Sequence, residues 1–306
     1  MNIREWTLPV YTILTQLAAG ALIVLWVIRT LSNSVYGREE VDRIIKIPIL
    51  IILITIIAGI IGAHFHLSRP YLSFLALRNF RTSWLSRELV FNLFFILSVG
   101  CLWSLFWFEN GQNTLKTVLG WVAISFGFAT EYCMSRIYLL PSQPAWNSPL
   151  TPVSFFETTL LLGVMTVPVL LIMDLRFSKS QQQENQNVRH RIIQGSFDWL
   201  AAIAVVMVIA IAVLNYFQIS SLRTGNPSAQ TTLDLLLELY QPLLVIRFAL
   251  LFVGVGWLGT SVVLSHRRSK GTEELMMPVF IACLLVMIAE ILGRFLFFAI
   301  HVRMGI

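Results

Sequence analysis

Long apolar runs alternate with short polar breaks along the chain. Eight of the runs are long enough to cross a bilayer, which takes about 20 apolar residues. They fall near 8–30, 44–65, 89–108, 116–139, 151–175, 198–218, 242–264 and 276–300. A segment in hydrocarbon must satisfy its backbone within itself, so each run predicts a helix. The expected fold class is therefore all-α, a polytopic integral membrane protein with eight transmembrane helices. Pro152 and Pro242 fall near the starts of the fifth and seventh runs, where the missing N–H costs no helical hydrogen bond. One membrane domain over 1–306 is expected, built as two four-helix bundles. The first half covers about 8–140 and the second about 151–301. Between the fifth and sixth spans a polar loop is expected over about 176–197, and its glutamine-rich part, 178–187, predicts a flexible linker.

Strongly polar residues are rare inside the runs, and their depths are uneven. Gln16, His64, His66, Glu88, Glu131, Arg136, Glu157, Asn215, Arg247, Glu290, Arg294 and His301 all map to the same side of the membrane. The opposite half-spans are expected to carry almost no strongly polar group. A charge at such depth costs about 2.5–3.5 kcal/mol on insertion scales and needs a partner or a wet cavity. A solute channel would place polar groups at both depths. One-sided placement points to a site open to one face, suited to a lipid-soluble carrier of two protons and two electrons. Bland roles compete with this. Glu290 and Arg294, four apart, are expected to pair locally on one helical face. Arg136 and Arg247 are expected to bond helix-end carbonyls or to neutralise Glu131 or Glu157. His64 and His66, two apart, point to different sides of their helix. A b-type haem held by His66 and His301 is an alternative, although both lie at helix ends.

Composition agrees with the pattern: of 306 residues, 57% are hydrophobic and 12% are charged, about half the usual charged share of a soluble domain. The first run has no small-residue cleavage site and is expected to stay as a helix. The net charge of +6 reads as topology rather than as affinity for nucleic acid. Twelve basic residues fall on the odd-numbered loops and seven on the opposite side, so both termini are expected outside. Cys101, Cys133 and Cys283 lie in apolar runs without a CxxC pattern, which argues against a covalent haem, an iron–sulfur cluster or a metal site in this chain. The second loop alternates Leu72, Leu75, Leu77, Phe80 and Trp84 with Arg78 and Arg81. An amphipathic interfacial helix is expected there, either a headgroup anchor or a docking face.

The order of motifs resembles the membrane-anchor subunits of the dimethyl sulfoxide reductase family, the quinol-oxidising subunits of molybdopterin oxidoreductases. It runs through Glu5-Trp6, Thr12, Gln16 and Ala19-Gly20, and is sharpest at His66-Leu67-x-x-Pro70, Asn79, Ser83, Leu85-Ser86 and Glu88. It resumes at Arg136-x-Tyr138, Pro144-x-Trp146, Thr151-Pro152, Phe155-Phe156, Tyr240, Arg247, Glu290-x-x-Gly293-Arg294 and His301. Ser68 in place of a usual Gly, Arg69, Glu157 and the extra His64 depart from the family pattern.

The resemblance implies a heterotrimeric complex of anaerobic respiration in a bacterial or archaeal plasma membrane. In it this chain would oxidise menaquinol without haem, iron–sulfur cluster or metal of its own. Electrons would pass to a four-cluster iron–sulfur subunit and on to a bis-molybdopterin molybdenum cofactor in a catalytic subunit. It places the functional pair on His66 and Glu88. A neutral imidazole suits a quinol hydroxyl, and a carboxylate at a helix start can relay a proton outward. Gln16, Tyr138 and Arg294 are expected to help hold the quinol, and the basic second loop to dock the iron–sulfur partner. The contrasting reading is a cofactor-free structural anchor or a transporter. The terminal acceptor belongs to another subunit.

Overall fold

The computed structural model describes residues 7–64, 75, 77–108, 111–177, 183–268 and 275–302. Among these the chain is almost wholly helical, with no strand. The long helices are α1 (Thr7–Tyr36), α2 (Arg38–His64), α3 (Trp84–Phe108), α4 (Asn113–Ile137), α5 (Leu150–Phe177) and α6 (Gln183–Arg223). The short α7 (Pro227–Asp234) leads into a π-helical turn, Leu235–Leu239, followed by α8 (Gln241–Arg268) and α9 (Met276–Ala299). Eight of these, all but α7, are long and apolar enough to cross a membrane. This is a multi-pass membrane protein, as the apolar runs predicted.

Two helices are unlike the rest. In α1 and α5 the most apolar stretches are 83% and 78% buried within the protein, against 22–44% for the other six. They form the centre, and the others turn an apolar face outward, with Ile54, Leu97, Val206, Phe252 and Phe280 exposed. Small residues allow the central pair to cross in backbone contact. A Cβ on Gly20 would stand 1.8 Å from the Thr159 carbonyl oxygen, and one on Gly163 would stand 2.2 Å from the Gly20 carbonyl. Close approach of this kind replaces the hydrophobic drive that lipid cannot supply. The first and second halves of the chain are thus joined along this crossing. On the other flank of α1, the buried Trp26 ring lies on Gly120 of α4 and meets Phe106 of α3 edge-on at 6.2 Å.

The polar stretch expected as a loop over 176–197 is shorter than that. Helix α5 runs to Phe177 and α6 begins at Gln183, so most of the stretch is helix. Glutamine, glutamate and arginine are good helix formers, and here they extend an apolar span by several turns. In the second loop, where an amphipathic helix was expected, the described residues hold a 3₁₀ turn at 77–79. Arg87 then folds back: it donates to the carbonyls of Phe80 (3.0 Å) and Arg81 (2.6 Å) and stacks over Trp84.

Candidate functional site

Along α3 the buried residues Glu88, Asn92, Phe95, Val99, Leu102 and Phe106 recur every three or four positions and form one stripe. Glu88 and Asn92 are its polar end. Tyr11 of α1 reaches them: its hydroxyl donates to Glu88 Oε1 at 2.7 Å and accepts from Asn92 Nδ2 at 2.8 Å. Glu88 is only 3% exposed. Its Oε2 has no partner among the described residues.

A second network starts one turn deeper on α1. Gln16 Nε2 donates to the Phe155 carbonyl of α5 at 2.8 Å, and Arg294 of α9 donates to Gln16 Oε1 at 2.7 Å. The Arg294 guanidinium lies 3.8 Å from the centre of the Phe155 ring. Two of the expected quinol-holding residues are therefore in direct contact, across helices that are distant in sequence. Tyr138, at the end of α4, packs its ring against Trp146, Phe155 and Phe297 at 5.2–5.6 Å. Burial, and secondarily the charge of Glu88, pushes its phenol well above the ordinary value, while Arg294 works against this. Tyr138 thus lies within electrostatic reach of both networks and is a proton donor rather than a phenolate. Trp146 is fixed in turn, since its Nε1 donates to the Phe297 carbonyl at 2.7 Å.

Arg294 also forms part of the wall of a cavity of about 80 Å³ between α5, α6, α8 and α9, with Glu157, Thr158, Asn215, Arg247 and Glu290. Glu290 accepts from Thr158 at 2.6 Å and pairs with Arg247 at 3.4 Å. Arg247 lies flat across Gly293, where a Cβ would stand 2.5 Å from its Nε. The local pair expected between Glu290 and Arg294 is therefore replaced by two cross-helix partnerships. Both side chains leave α9 towards better acceptors and donors on other helices. Arg136 also departs from its expected role: it stacks over Trp84 at 5.0 Å. His301 stacks on Trp146, with its Nδ1 2.6 Å from the Phe298 carbonyl.

His66 lies outside the described residues. The described chain before it ends at His64, and Ala63 packs on the cluster of Tyr11, Met134 and Phe155. Tyr11, Asn92 and Glu131 were not singled out as site residues from the sequence. Asn92 was legible as the residue four after Glu88 on the same face. Tyr11 was not, because only the packing of α1 on α3 brings it there. Glu131 is fully buried, and neither of its carboxylate oxygens has a hydrogen-bond partner among the described residues.

The opposite end of the bundle overturns one expectation. It is not free of buried charge. Arg29, 1% exposed, donates from Nε to Asp42 Oδ1 at 2.8 Å and from Nη1 to the Thr117 hydroxyl at 2.9 Å. Lys116 stands 3.8 Å from Asp42 Oδ2, and Arg189 stands 3.5 Å from Asp174. Read along the sequence these basic residues look like loop charges. The helices outlast their apolar runs and bring them face to face instead.

Relatives match much or all of the chain in sequence. The C subunit of the anaerobic dimethyl sulfoxide reductase of Haemophilus influenzae is 26% identical over 307 residues, covering 100% of this chain and 98% of that protein. The YnfH subunit of an anaerobic dimethyl sulfoxide reductase from Escherichia coli is 27% identical over 99% of this chain and 96% of its own length. The C subunit of the polysulfide reductase of Wolinella succinogenes is 28% identical over a shorter stretch, 61% of this chain and 63% of that protein. The family model described as DMSO reductase anchor subunit (DmsC) matches residues 1–300. With the eight spans, the buried Glu88 and the motifs around them, the chain belongs to the DMSO reductase anchor subunit family.

Proposed function

We propose that this chain anchors a molybdopterin oxidoreductase complex and oxidises menaquinol at a site built from His66 and Glu88. The observation that carries the reading is Glu88 itself, a buried carboxylate at a membrane edge. Its Oε1 is held by Tyr11, which Asn92 holds in turn, and its Oε2 has no partner among the described residues. A carboxylate is expensive at that depth, and one held in place through a single oxygen is suited to receive a hydroxyl proton. Tyr11 and Asn92 orient the acceptor, as supporting groups do around any reactive side chain.

In this reading His66 takes one quinol proton and Glu88 relays the other to the outer face. The two electrons go to an iron–sulfur subunit docked on the basic second loop, and from there to the molybdenum subunit. Quinol thereby becomes quinone, and both protons are released outside, with both termini of the chain on that side. Tyr138, Gln16 and Arg294 position the ring, with Phe155 and Phe297 as its apolar support. The relatives' names point to a sulfoxide or another sulfur compound as the acceptor, which the catalytic subunit selects.

The test uses the purified complex. Glu88→Gln and His66→Ala are each expected to abolish quinol-driven reduction. Reduction driven by a soluble dye that feeds the partner subunits directly should persist at the wild-type rate. Wild-type quinol turnover in either variant would refute the assignment.

A further inference from the structure

Far from Glu88, at the other end of the bundle, a concave pocket of about 140 Å³ opens between α1 and α6. Its polar wall is made of Ser32 and Tyr36 from α1 and of Arg191, Ser196 and Trp199 from α6. Every one of these carries a hydrogen-bond donor, and among the described residues no carboxylate lines the pocket. The Ser196 hydroxyl is already committed to the Ile192 carbonyl at 2.7 Å. Arg191 is exposed and has neither an acidic nor a hydrogen-bond partner among the described residues. Its neighbour two positions earlier behaves oppositely: Arg189 is 5% exposed and paired with Asp174. Two residues on a helix are about 200° apart, so one cation turns into the bundle and the other out to the pocket.

Depth narrows the ligand. The apolar run of α1 ends near Thr30 and that of α6 begins near Trp199, so Arg191, Ser196, Ser32 and Tyr36 sit at headgroup level. Tyr36 and Trp199 take the interfacial place that amphipathic aromatics favour. On the bilayer side, Leu31 lines the pocket at 58% exposure, and Val35 beside it is 71% exposed. A ligand held here has an anionic group within reach of a guanidinium fork and acyl chains beside it. The volume would hold about ten waters at 10–15 Å³ each, enough for a phosphodiester. We propose that this pocket binds the head group of an anionic phospholipid, with the phosphate on Arg191, Ser32 and the aromatic donors and the chains along Leu31.

The experiment is native mass spectrometry of the intact complex in detergent, titrated with phosphatidylglycerol or phosphatidylcholine. Two variants are compared with wild type: Arg191→Ala, and Gly195→Leu, which fills the pocket. Gly195 has no atom within 4 Å of a built Cβ, so the backbone tolerates the change. Wild type should retain one phosphatidylglycerol at least tenfold more tightly than either variant, and phosphatidylcholine should show no such difference. Inorganic phosphate at millimolar concentration should not displace the lipid. Equal phosphatidylglycerol retention by wild type and both variants, or equal retention of phosphatidylcholine and phosphatidylglycerol by wild type, would overturn the proposal. Displacement by phosphate would also overturn it, since the site would then be one for free phosphate.

Discussion

The two ends of this bundle bury charge in opposite ways. At one end Arg29, Lys116 and Asp42 answer one another within 4 Å, and Arg189 answers Asp174. At the other, Tyr11 holds one oxygen of Glu88, and the second has no partner among the described residues. Arg294 is shared between Gln16 and an open cavity. Burying an ion pair contributes little net stability, but removing one partner costs a great deal. The first end is therefore a structural lock. There Arg29 Nη2 and both Asp174 oxygens lack a hydrogen bond, yet each group faces an opposite charge. At the second end, Glu131 has neither a hydrogen bond nor an ion pair among the described residues. A carboxylate so placed in a membrane marks where something else has to bind.

The sharpest way to break the comparison is Asp42→Asn, which leaves two buried cations without a counter-charge. A loss of about 3–5 kcal/mol is expected. It should be read as a lowered thermal midpoint of the complex, with the quinol KM of the surviving fraction unchanged. Glu88→Gln should do the reverse. Quinol-driven turnover should be abolished, a loss of at least the roughly 10²–10⁴ that a removed proton acceptor costs, with the thermal midpoint close to that of wild type. Gln16→Ala lies between these, because it strips Arg294 of a charged hydrogen bond worth about 1.5–3 kcal/mol. It should both raise the quinol KM and lower the midpoint, and a change in only one of these would assign Gln16 to one end's logic alone. Trp146→Phe is the mildest. It removes the bond to the Phe297 carbonyl, worth about 0.5–1.5 kcal/mol, and a small drop in midpoint by scanning calorimetry should be its main effect.

Much of the fold was legible from the sequence because spanning a membrane demands one pattern, and eight apolar runs became eight spanning helices. Polar residues within or at the edge of runs, such as Gln16, Glu88 and Arg294, were legible for the same reason, since their cost marks them. Their partners were not. Whether Glu290 meets Arg294 on its own helix or Arg247 on α8 depends on helix rotation and tilt, which no spacing rule encodes. Charges at run ends were misread for a related reason. Arg29 and Lys116, at the very ends of their apolar runs, and Arg189, before its run, look solvated when a helix is assumed to stop with its run, but α1, α4 and α6 continue past that point. Tyr11 shows the same limit, because its role exists only where α1 meets α3.

The contact between Gly20 and Gly163 has a consequence for how the protein is made. Insertion proceeds from the N-terminus, so α1 enters the bilayer long before α5 exists. Until the fifth span arrives, the groove around Gly20 faces lipid and Gln16 has no Phe155 carbonyl to donate to. The first helix is thus among the last to find its final surroundings. A half-length chain ending before Leu150 would leave that groove uncovered, and it is the fifth helix, rather than the second, that completes the seat of the first.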